Sequence, residues 1–406
     1  MTTNIPVDIR AFLETSVGDD LTNYQIEVHE GNKKGEGYLG DLLFVSLTNR
    51  KTNEELHLVI KQALASGTET SSNFVSSIFQ NESSFYENLW PSLKKFQGNF
   101  PNAKQFLKVP KHYAIDTKKG AEKILLENLR YKGFRNHVKT DFFKKEQLEY
   151  VLKCYGQFHA ISMALRQINP EHFQEIADRL VECSGVFSEM PFFQQAICLC
   201  CQDVISSFNE TEEKIVEKFK VYAKKGPEIF NKIRKYNGIN RVIIHGDCWS
   251  NNIMFKYNDN DDIEDIRFID FQLTRVGTVV YDLSYCIYAS CSGETIDNLD
   301  YYLKIYHQSL SESLKGYDLD PELIYSYENF KDEWKQYSKF GLIMGLLANS
   351  GKHRDLDSVP ELTELIDNQV NGRNDGINPK INRHISEKFL DIGRSLVLHA
   401  CKNGYV

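Results

Sequence analysis

The strands of this sequence do not alternate with its helices, and that order constrains the fold more than any other feature of the chain. The first 130 or so residues read as strands around one helix. YQIEVHEG (24–31) and DLLFVSLTNR (41–50) are apolar or alternating, rich in β-branched and aromatic residues, and ELHLVIKQAL (55–64) follows a polar turn. SNFVSSIFQNESSFYENLWPSL (72–93) then places Phe74, Val75, Ile78, Phe79 and Phe85 at helical spacing, with an end expected before Pro91. HYAIDT and AEKILLENL (121–129) read as two more strands. From about residue 140 the pattern is helical: KEQLEYVLKCYGQFHAISMALRQ (145–167), further segments over about 191–234, and YDLSYCIYAS onward. One strand-rich patch, 241–280, interrupts it. A doubly wound sheet requires βαβ alternation and does not fit. The expectation is an α+β chain of two lobes, a β-rich one over 1–130 and a mainly helical one over 131–406, and 406 residues suit two cores better than one.

Charge narrows the partners. The net charge of −8 comes from acids and bases mixed along the chain, with no basic stripe of the kind nucleic acid requires. No apolar run approaches about 18 residues, so no membrane-spanning helix is expected. MTTNIPVDIRAFLE has no basic segment followed by an apolar one, so a cytoplasmic location is expected. The nine cysteines lack zinc-site spacing and read as reduced, mostly buried thiols. The sequons at Asn81 and Asn209 then read as incidental, and nothing marks a protein partner.

The chemistry concentrates in RVIIHGDCWSNNIMF (241–255). An apolar strand delivers His245, Gly246 and Asp247, and Asn252 follows Asp247 by five positions. Eighteen residues further on, IRFIDFQ ends a strand in Asp270 and Phe271, and the NDNDD turn between makes 253–269 a hairpin that returns Asp270 beside Asn252. Phosphoryl transfer needs a carboxylate at the acceptor hydroxyl and hard oxygen ligands for Mg²⁺. Asp247 fits the first need; Asn252 and Asp270 fit the second. The set resembles the HRD, Asn and DFG constellation of protein kinases, with Gly246 in place of Arg and Gln272 in place of Gly. His245 reads as a group that orients this loop by hydrogen bonding.

Three further pieces extend the reading toward ATP. Gly35, Gly37 and Gly40 in GEGYLG lie between strands, where backbone N–H groups can cover phosphates; a bare glycine-rich hairpin is the plain alternative. Lys61 ends the apolar strand HLVIK and Glu82 lies on the next helix, in the order of a phosphate-positioning ion pair, with Glu87 a rival on the same helix. In ILLENL the backbone around Glu127 to Leu129 reads as the lobe connection that bonds adenine, or as an ordinary edge strand. Asp282 reads as a brace for the 245–252 loop or a helix cap, His159 as a packed core histidine, Trp249 as a substrate wall or simple packing, and Cys248 as a spectator.

HGDCWSNNIMF together with IRFIDFQLTRVGTVVYDLSYC resembles the ecdysteroid kinase-like family of invertebrates, which is related to choline and aminoglycoside kinases. The Trp after HGD-x, the doubled Asn and DFQ are its most specific features, and GEGYLG, VIK, ESSFY, ILLENL and QFHA fall in the family's order. The resemblance spans about residues 25–290. It implies a protein-kinase-like fold and ATP- and Mg²⁺-dependent phosphorylation of a hydroxyl on a steroid-like or other lipophilic small molecule. It makes Asp247 the base, Asn252 and Asp270 the metal ligands, and Lys61 with Glu82 the phosphate-positioning pair. Gly37 stands where the family is expected to carry a polar residue. Only eleven residues separate Asp270 from Asp282, too few for an activation loop, which argues against a protein kinase. Two alternatives remain at this point: a kinase of a polar amino alcohol, and an inactive binding module. The many C-terminal aromatics (Tyr301, Tyr302, Tyr306, Tyr325, Tyr327, Trp334, Tyr337, Phe340) suit a flat apolar ligand, ordinary helix packing or capture of a cation.

Overall fold

Period-2 alternation sets the two faces of the N-terminal sheet. The structure is a computed structural model and describes residues 5–17, 20–30, 40–64, 67–183, 185, 188–353, 362–372 and 385–406. The sheet comprises β1 (Tyr24–Glu30), β2 (Gly40–Asn49), β3 (Glu55–Ala63), β4 (His112–Asp116) and β5 (Lys123–Glu127), antiparallel in the order β1-β2-β3-β5-β4. Val45, Leu47, Leu58, Ile60 and Leu125 turn to one face and bury Ile9, Phe12 and Leu13 of α1 (Val7–Val17), a helix absent from the sequence expectation. Lys61, one residue past Ile60, points to the opposite face, where α2 (Glu69–Ser84) lies.

The helix that follows does not stop at Pro91. After α2 one π-helical turn spans Phe85–Leu89, and α3 (Trp90–Gly98) continues with Pro91 in its first turn. Trp90 N–H reaches back to the carbonyl of Phe85, and a proline in a first turn withholds an N–H that has no intrahelical partner in any case.

The remaining strands are short: β6 (Phe134–Asn136), β7 (Val242–Ile244), β8 (Ile253–Tyr257), β9 (Ile263–Phe268) and β10 (Arg275–Gly277). They form the sheet β6-β8-β9 and the ribbon β7–β10. Around them pack α4 (Lys145–Ile168), α5 (Pro170–Ala177), α6 (Pro191–Ile205), α7 (Glu213–Lys224), α8 (Gly226–Ile233), α9 (Val279–Ser290), α10 (Gly293–Asp297), α11 (Leu299–Gly316), α12 (Pro321–Tyr325), α13 (Tyr327–Tyr337), α14 (Lys339–Lys352), α15 (Leu362–Val370) and α16 (Glu387–Lys402). The chain is therefore α+β, a five-stranded N-terminal region followed by a larger helical one, compatible with a two-lobed kinase-like fold. α4 lies along α11 and α9 along α14. Among the described residues no helix is long and apolar enough to cross a membrane, and all nine cysteines are free.

The C-terminal aromatics fill this helical core. Tyr302, Tyr306, Tyr325, Trp334, Tyr337 and Phe340 are buried, Tyr306 hydrogen bonds His159, and Tyr325 donates to Glu333. They pack helices together; of the eight, Tyr301 alone is exposed. Asn81 is buried as well: its side-chain amide donates to the carbonyls of Gln272 and Thr274 and its oxygen accepts from Val181 N–H, which ties α2 to the segment after Asp270.

Candidate active site

Three groups meet where the sheet faces the helical region. Lys61 Nζ lies 2.6 Å from Glu82 Oε2 and 2.5 Å from Asp270 Oδ1. Glu82 is almost wholly enclosed, at 1% side-chain exposure, whereas Asp270 keeps 27% and faces the opening. Burial alone would pull the Lys61 ammonium down; Asp270 and Glu82 together more than offset it and hold its pKa above the ordinary lysine value. Burial pushes Glu82 up while Lys61 works against that shift. Glu87 is exposed, so Glu82 is the paired acid.

Asp270 arrives here through the hairpin. β8 and β9 pair Ile253 with Phe268, and Ile269 N–H donates to the carbonyl of Asn252 at 3.0 Å, so the residues flanking the two strands become neighbours. Asp270 itself adopts a left-handed backbone, φ 67° and ψ 62°. Asp tolerates that region better than most residues, at a cost of about 1 kcal/mol. Gln272 Nε2 donates to Asp270 Oδ2 at 3.1 Å and fixes the carboxylate's second oxygen.

The 245–252 loop is held from beneath by Asp282. That buried carboxylate accepts from His245 N–H at 2.8 Å, Gly246 N–H at 2.9 Å, Cys248 Sγ at 2.7 Å and His159 Nε2 at 3.2 Å. Burial would raise its pKa, but the His159 hydrogen bond and the two imidazoles keep it below the ordinary value. Gly246 is required here: its φ is +85°, and a Cβ would overlap the carbonyl oxygen of Leu273. His245 has no free ring nitrogen. Asp247 N–H donates to Nδ1, which leaves Nε2 as the protonated atom facing the Ile269 carbonyl at 3.0 Å, and burial lowers its pKa. Both ring nitrogens are thus held by backbone groups of the loop and of the Asp270 segment.

Asp247 emerges half-buried at the top of this loop. Asn252 Nδ2 donates to its Oδ2 at 2.8 Å and to its carbonyl at 2.9 Å. Burial and repulsion from Asp270 push its pKa up to about 7, against the pull of hydrogen bonds from Asn252 and Tyr285. A carboxylate poised there is able to take a proton at neutral pH. Phe271 completes the set: its ring stacks on Phe85 of the π turn at 3.7 Å and lies 4.6 Å from the His245 ring. The loop, the Asp270 segment and the Glu82 helix thus share one aromatic contact.

The donor set suits a hard cation. With its nitrogen spent on Asp247, Asn252 has only its amide oxygen to offer, and Asp270 has its exposed carboxylate. Among the described residues no group of three or more His, Cys, Asp or Glu side chains could hold a metal alone; a Mg²⁺ shared with phosphates requires no such group. In the connecting segment Glu127 N–H donates to the Lys111 carbonyl and Asn128 N–H to that of His57, while the Leu129 N–H makes no hydrogen bond among the described residues.

Of the residues singled out from the sequence, Gly35 and Gly37 lie outside the described residues. Gly40 opens β2, where a Cβ would meet the Gln62 carbonyl at 3.0 Å and the Phe79 ring at 3.3 Å. Lys61, Glu82, His245, Asp247, Asn252 and Asp270 come together; Glu127 ends β5 and Leu129 opens the turn that follows it. One expectation needs correction: Cys248 is no spectator, because its thiol is one of Asp282's four donors. His159 is the packed core histidine expected, and its Nε2 is another of those donors. Tyr285 and Gln272 as partners of the two aspartates had no sequence signal beyond adjacency to a motif.

The model of the ecdysteroid kinase-like family matches residues 34–318, more than half of the chain. A search of curated proteins finds no match.

Proposed function

The chain belongs to the ecdysteroid kinase-like family, and from that premise we propose that it is a small-molecule kinase that moves the γ-phosphoryl group of ATP to a hydroxyl of a neutral, lipophilic alcohol. The observation that carries the proposal is the meeting of Lys61, Asp270, Asn252 and Asp247 in one place, each in a role that its environment suits. Asn252 and Asp270 would hold Mg²⁺, which when bound would supply charge to offset that developing in the transfer. Lys61, kept charged by its two carboxylates, would present an ammonium to the phosphates. Asp247 would align the acceptor hydroxyl and take its proton, at a pKa well matched to neutral pH. Backbone groups of Glu127 and Leu129 would bond the adenine ring. Gly35 and Gly37 are proposed to cover the phosphates, with Gly40 closing that segment.

A neutral acceptor is favoured over an ammonium by an aromatic ring close to the base in sequence. Trp249 follows Asp247 by two residues, and Lys352 Nζ already lies 5.6 Å from its ring centroid. A face that holds the protein's own cation is a poor trap for a second one. The test is a competition with labelled ATP and Mg²⁺ among ecdysteroids, simpler lipophilic alcohols, choline, an aminoglycoside and a generic protein. Label on a lipophilic alcohol is the expected outcome. Label on choline, the aminoglycoside or protein, with none on the lipophilic alcohols, overturns the acceptor class.

A further inference from the structure

Lys352 ends α14, beyond the span that the family matches, and is buried at 5% exposure. Its Nζ donates to the carbonyl of Ala289 at 2.7 Å and to Ser250 Oγ at 3.0 Å, with the Trp249 ring beside it. Ser250 N–H in turn donates to Ser290 Oγ at 3.0 Å. Ala289 and Ser290 form the last turn of α9, the helix whose first turn carries Asp282. The catalytic loop is therefore tied to α9 twice: His245, Gly246 and Cys248 to the helix start through Asp282, and Trp249 and Ser250 to the helix end through Lys352 and Ser290. Asp247 lies within the first tie, flanked by Gly246 and Cys248, and Asn252 just past the second.

Every partner of this ammonium is neutral. The terminal carbonyls of α9 carry the negative end of the helix dipole, and the indole face is weakly negative, so both favour a cation. No carboxylate contacts Lys352 among the described residues. The titratable groups around it are Cys286 of α9 and Cys291 just after it, Lys139 and His137 from the segment before α4, Lys388 of α16, and His353 beside it in sequence. Burial, reinforced by Lys139 and Lys388, holds the Lys352 ammonium at about 8. An enclosed cation without a counter-charge costs stability, and a neutral chain of the same length would cost less. Among the described residues this ammonium grips only the catalytic loop and the helix under it, and a residue that opposes folding there is placed for activity, not for stability.

We propose that Lys352 is a positioning residue: its ammonium, held between Ala289, Ser250 and the Trp249 ring, fixes the loop that carries Asp247 and Asn252, and transfer requires it to be charged. This rests on the phosphotransferase reading above. The test compares wild type, Lys352→Met and Lys352→Arg in turnover from neutral to alkaline pH, in melting temperature with and without MgATP, and in tryptophan emission, with Trp249→Phe to identify the Trp249 signal. Wild type is expected to lose turnover above about pH 8, where its Trp249 emission should also inflect. Lys352→Met should lower kcat by roughly 10–100-fold, with unchanged KM for MgATP, no loss of melting temperature and no inflection. Lys352→Arg, charged throughout, should keep turnover and lack the alkaline limb, and it decides the matter if the Met variant fails to fold. Wild-type turnover and pH profile in Lys352→Met, or an alkaline limb that persists in Lys352→Arg, overturns the proposal, as does a loss of melting temperature that parallels the loss of turnover. If wild type neither transfers phosphate nor gains stability from MgATP, the phosphotransferase reading is what fails. The Trp249 inflection then still decides whether a charged Lys352 grips the loop: its absence overturns the proposal and its presence supports it.

Discussion

Two largely enclosed lysines border the site, one on the sheet and one beneath the 245–252 loop, and they are held in opposite ways. Lys61, on the sheet, has Glu82 and Asp270 within 2.6 Å and 2.5 Å, and their charge overcomes the effect of burial. Lys352, beneath the catalytic loop, has a carbonyl, a hydroxyl and an indole face, and burial wins. Burial alone thus does not fix the state of a lysine; the formal charge of its partners does. The first should stay charged at any pH at which the protein folds, and the second should titrate close to physiological pH.

The largest effect that would sharpen this contrast is on stability. Lys61→Met strands Glu82 and Asp270 against each other in an enclosed site, and breaking such a buried pair costs about 3–5 kcal/mol. Chemical denaturation should show that loss, whereas Lys352→Met should show none; equal losses in both would erase the distinction. Asn81→Ala comes next. It removes the amide that joins α2 to the Asp270 segment, leaves buried carbonyls unpaired and is expected to lower stability by about 2 kcal/mol. A Lys61–Asp270 contact that depends on this anchor should also loosen, seen as a higher KM for MgATP.

A smaller effect is the pH dependence of the two lysine sites. Lys352 has a folded-state pKa of about 8, below its ordinary 10.5. Between these values the unfolded chain binds more protons, so this residue's contribution to stability rises with pH. The difference in unfolding free energy between wild type and Lys352→Met should shift in favour of wild type through that window. The corresponding difference for Lys61→Met, whose parent pKa is raised, should shift in the opposite sense only at higher pH. A flat Lys352 difference between pH 8 and 10.5 would mean that the ammonium is not enclosed as described.

The contrast also marks how far the sequence reaches. Asp247, Asn252 and Asp270 were legible because a short loop and one hairpin fix their geometry locally: once β8 and β9 pair, Asn252 and Asp270 must be neighbours. Lys61 and Glu82 were legible by their order along the sheet and the next helix. Lys352 was not, because it comes from a helix about a hundred residues away and looks like any other lysine at a helix end. The C-terminal aromatics were ambiguous for a related reason: periodicity shows that a helix face is apolar but not whether another helix or a ligand covers it. Pro91 failed as a stop signal because the π turn before it lets a new first turn begin there.

The central claim is that Asp247 acts on the acceptor and Lys61 with Asp270 on the nucleotide side. The most direct measurement is single-turnover transfer from labelled ATP to a lipophilic alcohol, in Mg²⁺, by wild type and Asp247→Asn, with MgATP-induced melting shifts recorded for both. The account predicts equal melting shifts and a transfer rate roughly 10²–10⁴-fold lower in the variant. Wild-type transfer by Asp247→Asn, or no melting shift with MgATP in the wild type, would contradict it.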